Sequence, residues 1–501
     1  MKRLLIPLAA AGLSAVTLAA PASAQPHWAS DDLQPKPADA YGAAFFWLDS
    51  NGAALKKATQ YTLDTKSVPK MVTSGGSGTT DNGKPGSTAP TGTTKSSAKV
   101  SNINLPKTVG KVFFLDKSGR YRWCTATSIQ SRNRNLVATA GHCVFENGKD
   151  DVYDKWIFVP GYYQGKAPWG VYVGAYAFTA YDLDTYDDYD GDYAFVAVHN
   201  GFGLGPEKQV SKAQYDKWLG DKWAKDVAIT QAEYTKCVDL HGGETPDCWA
   251  KLSTNADVVG PDYPNKKRAF KEVTKEQYSK APSGNGNGAK EPLKTVVDNV
   301  TKSQYESYKG PGYQKIDALG NYTITHYFLG YWVKETTKTQ YFKTVFTVGI
   351  ARDMGRLGDT VGGQGFAWNQ PLNQTVMAFG YPSAPHPDGD KPFTGVTPKH
   401  CYGKTGTKTT QVNMFRVDTH QTLKCSMTPG ADGGPWLMKY SNAKRVGYVN
   451  GVTSMFHDTD KNGRIDHISS AVFDSETADV YNKANYATTK KIVGPNGELL
   501  K

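Results

Sequence analysis

Cys425-Ser-Met-Thr-Pro-Gly-Ala-Asp-Gly-Gly-Pro-Trp436 is the stretch on which the reading of this 501-residue chain turns. Its chemistry-bearing residue is Asp432, which stands just before the Gly433-Gly434-Pro435 turn. Two earlier stretches belong with it. Thr139-Ala140-Gly141-His142-Cys143 closes the apolar run Leu136-Val-Ala-Thr139, and Asp192 heads Tyr193-Ala-Phe-Val-Ala-Val198. A histidine, a carboxylate at the mouth of an apolar strand and a glycine-rich loop therefore follow one another along the chain.

Together these stretches resemble the secreted bacterial trypsin-like serine peptidases of the chymotrypsin fold. Phe366-Ala-Trp-Asn-Gln-Pro371 and Phe379-Gly-Tyr-Pro382 resemble that group as well, so the likeness covers about residues 101–200 and 360–480. The order histidine, acid, then nucleophile position excludes the subtilisin and α/β-hydrolase arrangements. The resemblance implies that His142 holds the base position and that Asp192 accepts its Nδ1–H, fixing the tautomer. Asp182, Asp184, Asp187, Asp188 and Asp190 compete for the acid's place, but they sit in a polar loop and only Asp192 borders the apolar strand. Gly430 and Asp432 fall at the oxyanion-hole positions. Ser426 falls at the base of the substrate pocket, and Ser454 and Phe456 on its lining strand, where a ring at Phe456 would close the mouth.

The chain departs from the family at one letter. Asp432 occupies the slot of the attacking serine, and its neighbour Ala431 brings no hydroxyl either. Ser426 and Thr428 lie near in sequence but would need a rebuilt loop to reach His142. A carboxylate has no proton to give the histidine and is a poor nucleophile towards amides; its charge opposes an oxyanion or fills the donors meant for one. Loss of a triad nucleophile costs on the order of 10⁶ in turnover in the subtilisin case. The expectation is a catalytically silent homologue that acts by binding protein or peptide. An active endopeptidase with an unrecognised nucleophile, and a cell-wall or glycan adhesin, are the alternatives.

The rest of the sequence sets the surroundings. Lys2 and Arg3, an apolar run from Leu4 to Ala20 and Ala22-Ser23-Ala24 read as a secretory signal over residues 1–24. No other segment reaches the ~18 apolar residues of a membrane helix. The net charge of +11 is spread without dense basic clusters, which argues against nucleic acid and is compatible with weak attraction to anionic cell-wall polymers. The six cysteines fall into neighbours, Cys124 with Cys143, Cys237 with Cys248 and Cys401 with Cys425. Fifteen connectivities are possible for six, and local pairing is the simplest.

Short β-rich runs separated by turns predict an all-β molecule. With the resemblance, this means two antiparallel β-barrels of the chymotrypsin/trypsin type, a large mixed insertion after the first, and a C-terminal helix over Asp474 to Ala484. The expected segments are a pro-region or spacer at 25–100 with a Gly/Ser/Thr-rich linker, a first barrel at 101–204, an insertion at 205–345, a second barrel at 346–490 and a tail at 491–501. In the insertion a short unit recurs, ending at Tyr215, Tyr234, Tyr278, Tyr305 and Tyr341, with Ser or Thr three residues before Gln or Glu. That spacing predicts capping boxes at helix starts. Asp458-Thr-Asp460-Lys-Asn462-Gly463-Arg-Ile-Asp466 has the oxygen spacing of half a calcium loop, but Ser469 stands where the bidentate glutamate belongs. An Asn-Gly hairpin turn is the other reading. No cofactor is required by either.

Overall fold

A ring of six antiparallel strands forms the first half of the molecule. Val109–Leu115 pairs with Tyr121–Ile129, which pairs with Leu136–Thr139, then Ala194–Val198, Tyr172–Ala180, Asp154–Pro160 and back to Val109–Leu115. Valine, phenylalanine and alanine dominate these strands and both faces are covered: Phe113, Ile157 and Phe195 are fully buried in one apolar cluster, Val112 and Val196 in another. The computed structural model describes residues 27–62, 72–73, 83–91, 105–146, 151–241 and 247–500. The signal segment and most of the Gly/Ser/Thr-rich linker lie outside the described residues.

The second half is a half-barrel built from two sheets. One runs in the order Lys399–Lys404, Thr375–Gly380, Pro435–Ser441, Val446–Val452, Gly365–Trp368. The other runs Met455–His457, His467–Ser470, Val417–Lys424, Thr410–Val412. A closed barrel with a half-barrel is the chymotrypsin-like architecture expected from the sequence. The C-terminal helix Ser475–Asn485 is also present, capped by Asp474, whose carboxylate takes the Thr477 amide.

The N-terminal region is built into this body. Pro37–Lys57 is a helix with proline in its first turn, Asp39 near its start and Lys56 and Lys57 at its end, a charge order that suits the helix dipole. Ala40, Ala43, Ala44 and Trp47 recur on one face and are buried. Trp47 packs on Phe113 of the barrel at 5.6 Å, and its indole N–H donates to Lys155 O at 2.7 Å. Trp28–Asp32 adds a strand to Tyr172–Ala180, and Gly86–Thr88 adds one to Gly365–Trp368.

Residues 209–217 and 222–348 form a second compact unit. In it Lys222–Ile229, Cys248–Val258, Lys267–Val273, Val296–Val300 and Tyr313–Ile316 all pair antiparallel with residues 322–348 of one long strand, Tyr322–Gly355. Four of the recurring units cap short helices: Thr274 with Gln277 and Thr301 with Gln304 make complete capping boxes, and Ser211 with Gln214 and Thr230 with Glu233 exchange the same bonds. The tyrosine that ends each one packs at a tilt against an aromatic ring of the long strand. Tyr215 meets Phe346, Tyr234 meets Tyr341, Tyr278 meets Tyr327 and Tyr305 meets Tyr322, with centroids 4.8–5.2 Å apart. The fifth unit departs from the expectation. Its Thr337-to-Gln340 segment is strand, not helix, because its backbone is paired with Leu252, Ser253 and Thr254, and the ladder overrides the local cap. Its Tyr341 serves instead as the ring against which Tyr234 packs.

All three neighbour disulfides form: Cys124–Cys143, Cys237–Cys248 and Cys401–Cys425.

Candidate functional site

His142 sits on a single turn, Gly141–Cys143, directly after the Leu136–Thr139 strand. The Cys124–Cys143 bond ties that turn to the neighbouring strand Tyr121–Ile129. Asp192 lies at the entrance of Ala194–Val198, the strand paired with Leu136–Thr139, so the ladder brings acid and histidine together. Asp192 Oδ2 accepts from His142 Nδ1 at 2.8 Å and its Oδ1 accepts the His142 backbone N–H at 2.9 Å. The Ser454 hydroxyl donates to the same carboxylate at Oδ2. Ser454, expected on the wall of a substrate pocket, thus spends its hydroxyl on the acid. The competing acids go elsewhere: Asp190, for example, accepts from the Thr419 amide and hydroxyl at 2.7 and 2.8 Å.

Asp432 arrives on the other side of the imidazole. Its Oδ1 lies 3.4 Å from His142 Nε2, an ion-pair contact without the alignment of a good hydrogen bond, and the Nε2 atom has no hydrogen-bond partner. Its Oδ2 accepts the backbone N–H of Gly430 at 2.6 Å. Thr125 fixes the loop from beneath, donating its hydroxyl to Gly430 O at 2.8 Å and its amide to Asp432 O at 2.8 Å. Gly430 has φ +104°, and a Cβ there would meet Trp123 and Tyr381 O at 2.7 Å, so only glycine suits this position.

Burial of the imidazole would depress its pKa, yet the two flanking carboxylates, Asp192 first, outweigh this and raise it to about 10. Burial would raise the Asp192 carboxyl, but charged His142 and the bonds from Ser454 and the His142 amide hold it below its ordinary value. At neutral pH the centre is therefore an imidazolium between carboxylates. Such a histidine has no lone pair with which to take a proton.

The remaining predicted residues disperse. Ser426 is exposed on the rim of an open cavity of about 510 Å³ that also contains Lys399 and His400. Thr428 is fully buried, and its hydroxyl has no hydrogen-bond partner, His142 included. Phe456 is 8% exposed and belongs to one apolar cluster with Met427, Ala431, Ile465 and Ile468. The segment between Met455–His457 and His467–Ser470 is the connection of an antiparallel hairpin. Its oxygens are taken by the loop itself: Asp458 accepts the amides of Asn462 and Gly463, Asn462 Oδ1 accepts the Arg464 amide, and Asp466 accepts the Thr459 amide and hydroxyl. Asp460 accepts from the Asn462 side chain at 3.0 Å. Among the described residues, the carboxylates of 458, 460 and 466 do not converge on one point.

Two site residues escape the sequence. Tyr189 lies near-parallel to the His142 ring at 6.1 Å, and Tyr61 stacks on it at 5.6 Å with 27° between planes. Tyr189 stands among the acids that compete with Asp192, where only carboxylates draw notice. Tyr61 lies 81 residues before the histidine, and nothing in its surroundings marks it.

Neither a protein-family model nor a curated protein matches this sequence. Among solved structures the chain is similar to the protease Anisep from Arthrobacter nicotinovorans, with 17% identity, 77% of this chain and 98% of that one covered and a TM-score of 0.39. It is similar to the thermostable serine protease AL20 from an extremophilic microorganism, with 18% identity, 77% and 100% covered and a TM-score of 0.40. A Glu endopeptidase in complex with MPD gives 12% identity, 78% and 96% covered and a TM-score of 0.35. Likeness this distant carries no argument about activity. The class of the molecule rests on its own strand pairing, a closed barrel and a half-barrel of the chymotrypsin-like kind.

Proposed function

We propose that this protein is a secreted trypsin-like pseudopeptidase that does not cleave peptide bonds and acts by binding a protein or peptide. One observation carries the reading: the Asp432 carboxylate contacts both His142 and the Gly430 N–H, the two groups a peptidase would turn on its substrate. A peptidase needs a neutral base and free oxyanion donors. Here Asp432 joins Asp192 in holding the first in its protonated form and itself occupies the second. The packed cluster around Phe456 adds to this by filling ground that a substrate side chain would need.

Three disulfides fit an extracellular protein. Among the described residues no helix is long and apolar enough to cross a membrane. The signal-like segment at residues 1–24 extends this to secretion. The 458–466 loop is assigned as a self-capped hairpin turn, and the melting temperature is expected to stay unchanged between excess calcium and excess EDTA. Purified protein that hydrolyses casein would overturn the pseudopeptidase reading. An adhesin working through the insertion predicts instead that deletion of 205–345 abolishes binding to isolated cell walls.

A further inference from the structure

The strand Tyr121–Ile129 is paired along its full first half on one side by Val109–Leu115. On the other side Leu136–Thr139 reaches only Thr127 to Ile129. The edge at Arg122 and Trp123, next to the His142 turn, would be an open row of backbone donors and acceptors, the kind of edge that takes up an extended peptide. The chain fills it with its own Thr59–Gln60, in parallel register with Arg122 and Trp123.

The segment is held by specific bonds. Tyr61 N–H donates to Trp123 O at 2.9 Å, the Trp123 indole donates to Ala58 O at 3.2 Å, and Arg122 donates to the Thr59 hydroxyl at 3.0 Å. Arg122 is itself anchored on Asp116 at 3.1 Å. The strand ends by laying the Tyr61 ring on His142, while the Tyr61 hydroxyl accepts from that of Tyr153 at 3.2 Å. His142 is left 1% exposed.

From this geometry we propose that residues 58–61 are a built-in cover, the chain's own occupant of the peptide-accepting edge, which shields His142 from solvent and from extended peptides in trans. The inference rests on the peptidase-frame reading only in taking this edge as one that accepts peptide. The tether makes the cover effective. Only Ala58 separates Thr59 from the helix Pro37–Lys57, whose Trp47 is locked into the barrel core. A strand fixed this closely stays at high effective concentration beside its edge, so a weak competitor does not displace it. The cover is also distinct from the loss of the nucleophile: it acts on access, whereas Asp432 acts on chemistry.

Hydroxyl-radical footprinting of the full-length protein, read by mass spectrometry, tests the cover without reference to activity. His142 in the wild type should be labelled as slowly as His420, which is 0% exposed, and far more slowly than the exposed His400. Tyr61→Ala should raise labelling of His142 several-fold and leave His420 unchanged. Tyr61→Phe, which keeps the ring, should behave as wild type. Wild-type His142 labelled as fast as His400, or Tyr61→Ala labelled no faster than wild type, overturns the proposal. If Tyr61→Ala also exposes His420, Arg122→Ala is read in its place: a rise at His142 alone supports the cover, and no rise there overturns it. Casein hydrolysis by the wild type would sink the pseudopeptidase reading and leave this footprint intact.

Discussion

Asp432 Oδ2 accepts the amide of Gly430, two residues back in the same loop, at 2.6 Å. The loop thereby solvates its own carboxylate with one of its own backbone donors. With Oδ1 turned to His142, the aspartate is held at both ends, which accounts for a carboxylate only 1% exposed. Burying an unpaired charge there would be costly, whereas this one is compensated on both oxygens.

The histidine makes stability fall at alkaline pH. Its folded pKa of about 10 lies above the ordinary 6.5, so its contribution is complete below about 6.5 and is lost as pH rises towards 10. Urea unfolding from pH 6 to 10 should show a loss of a few kcal/mol. Asp432→Asn, which removes one flanking charge, should flatten that slope; an equal slope in wild type and variant would refute the ion-pair account.

The N-terminal helix should behave as core. Trp47→Ala deletes a fully buried ring that packs on Phe113 and donates to Lys155 O, and should cost roughly 3–5 kcal/mol in chemical unfolding. A loss well under ~1 kcal/mol would show that this helix is only laid on the surface.

In the second compact unit, the Thr274 hydroxyl caps its helix by accepting the Gln277 amide, and the Thr274 backbone N–H donates to the Gln277 side-chain oxygen in return. Thr274→Ala should destabilise this turn by about 1 kcal/mol. Amide exchange should speed up at residues 275–280 and stay unchanged around Asp432.

The barrel strands and the meeting of His142 with Asp192 were legible because each is written locally, in runs of β-branched and aromatic residues and in the short frame around His142. Neighbour pairing of the cysteines was legible for the same reason. What the sequence hid depends on distance along the chain. Tyr61 reaches His142 only after an 81-residue return, and the burial of Trp47 depends on a barrel that begins about 60 residues later. The fifth capping spacing, Thr337 to Gln340, misled because a local cap loses to a long ladder formed with Cys248–Val258. Ser426 lies six residues before Asp432, and spacing along a loop does not fix which way a side chain faces.

The most direct test is reaction with a fluorophosphonate serine probe, using wild type and Asp432→Ser side by side. The wild type should show no labelling above the heat-denatured control, while Asp432→Ser, with the Gly430 amide freed and only Asp192 left beside His142, should become labelled, and more strongly when Tyr61→Ala also removes the ring that covers His142. Labelling of the wild type, traced by peptide mapping to any residue of the His142 site, would contradict the account.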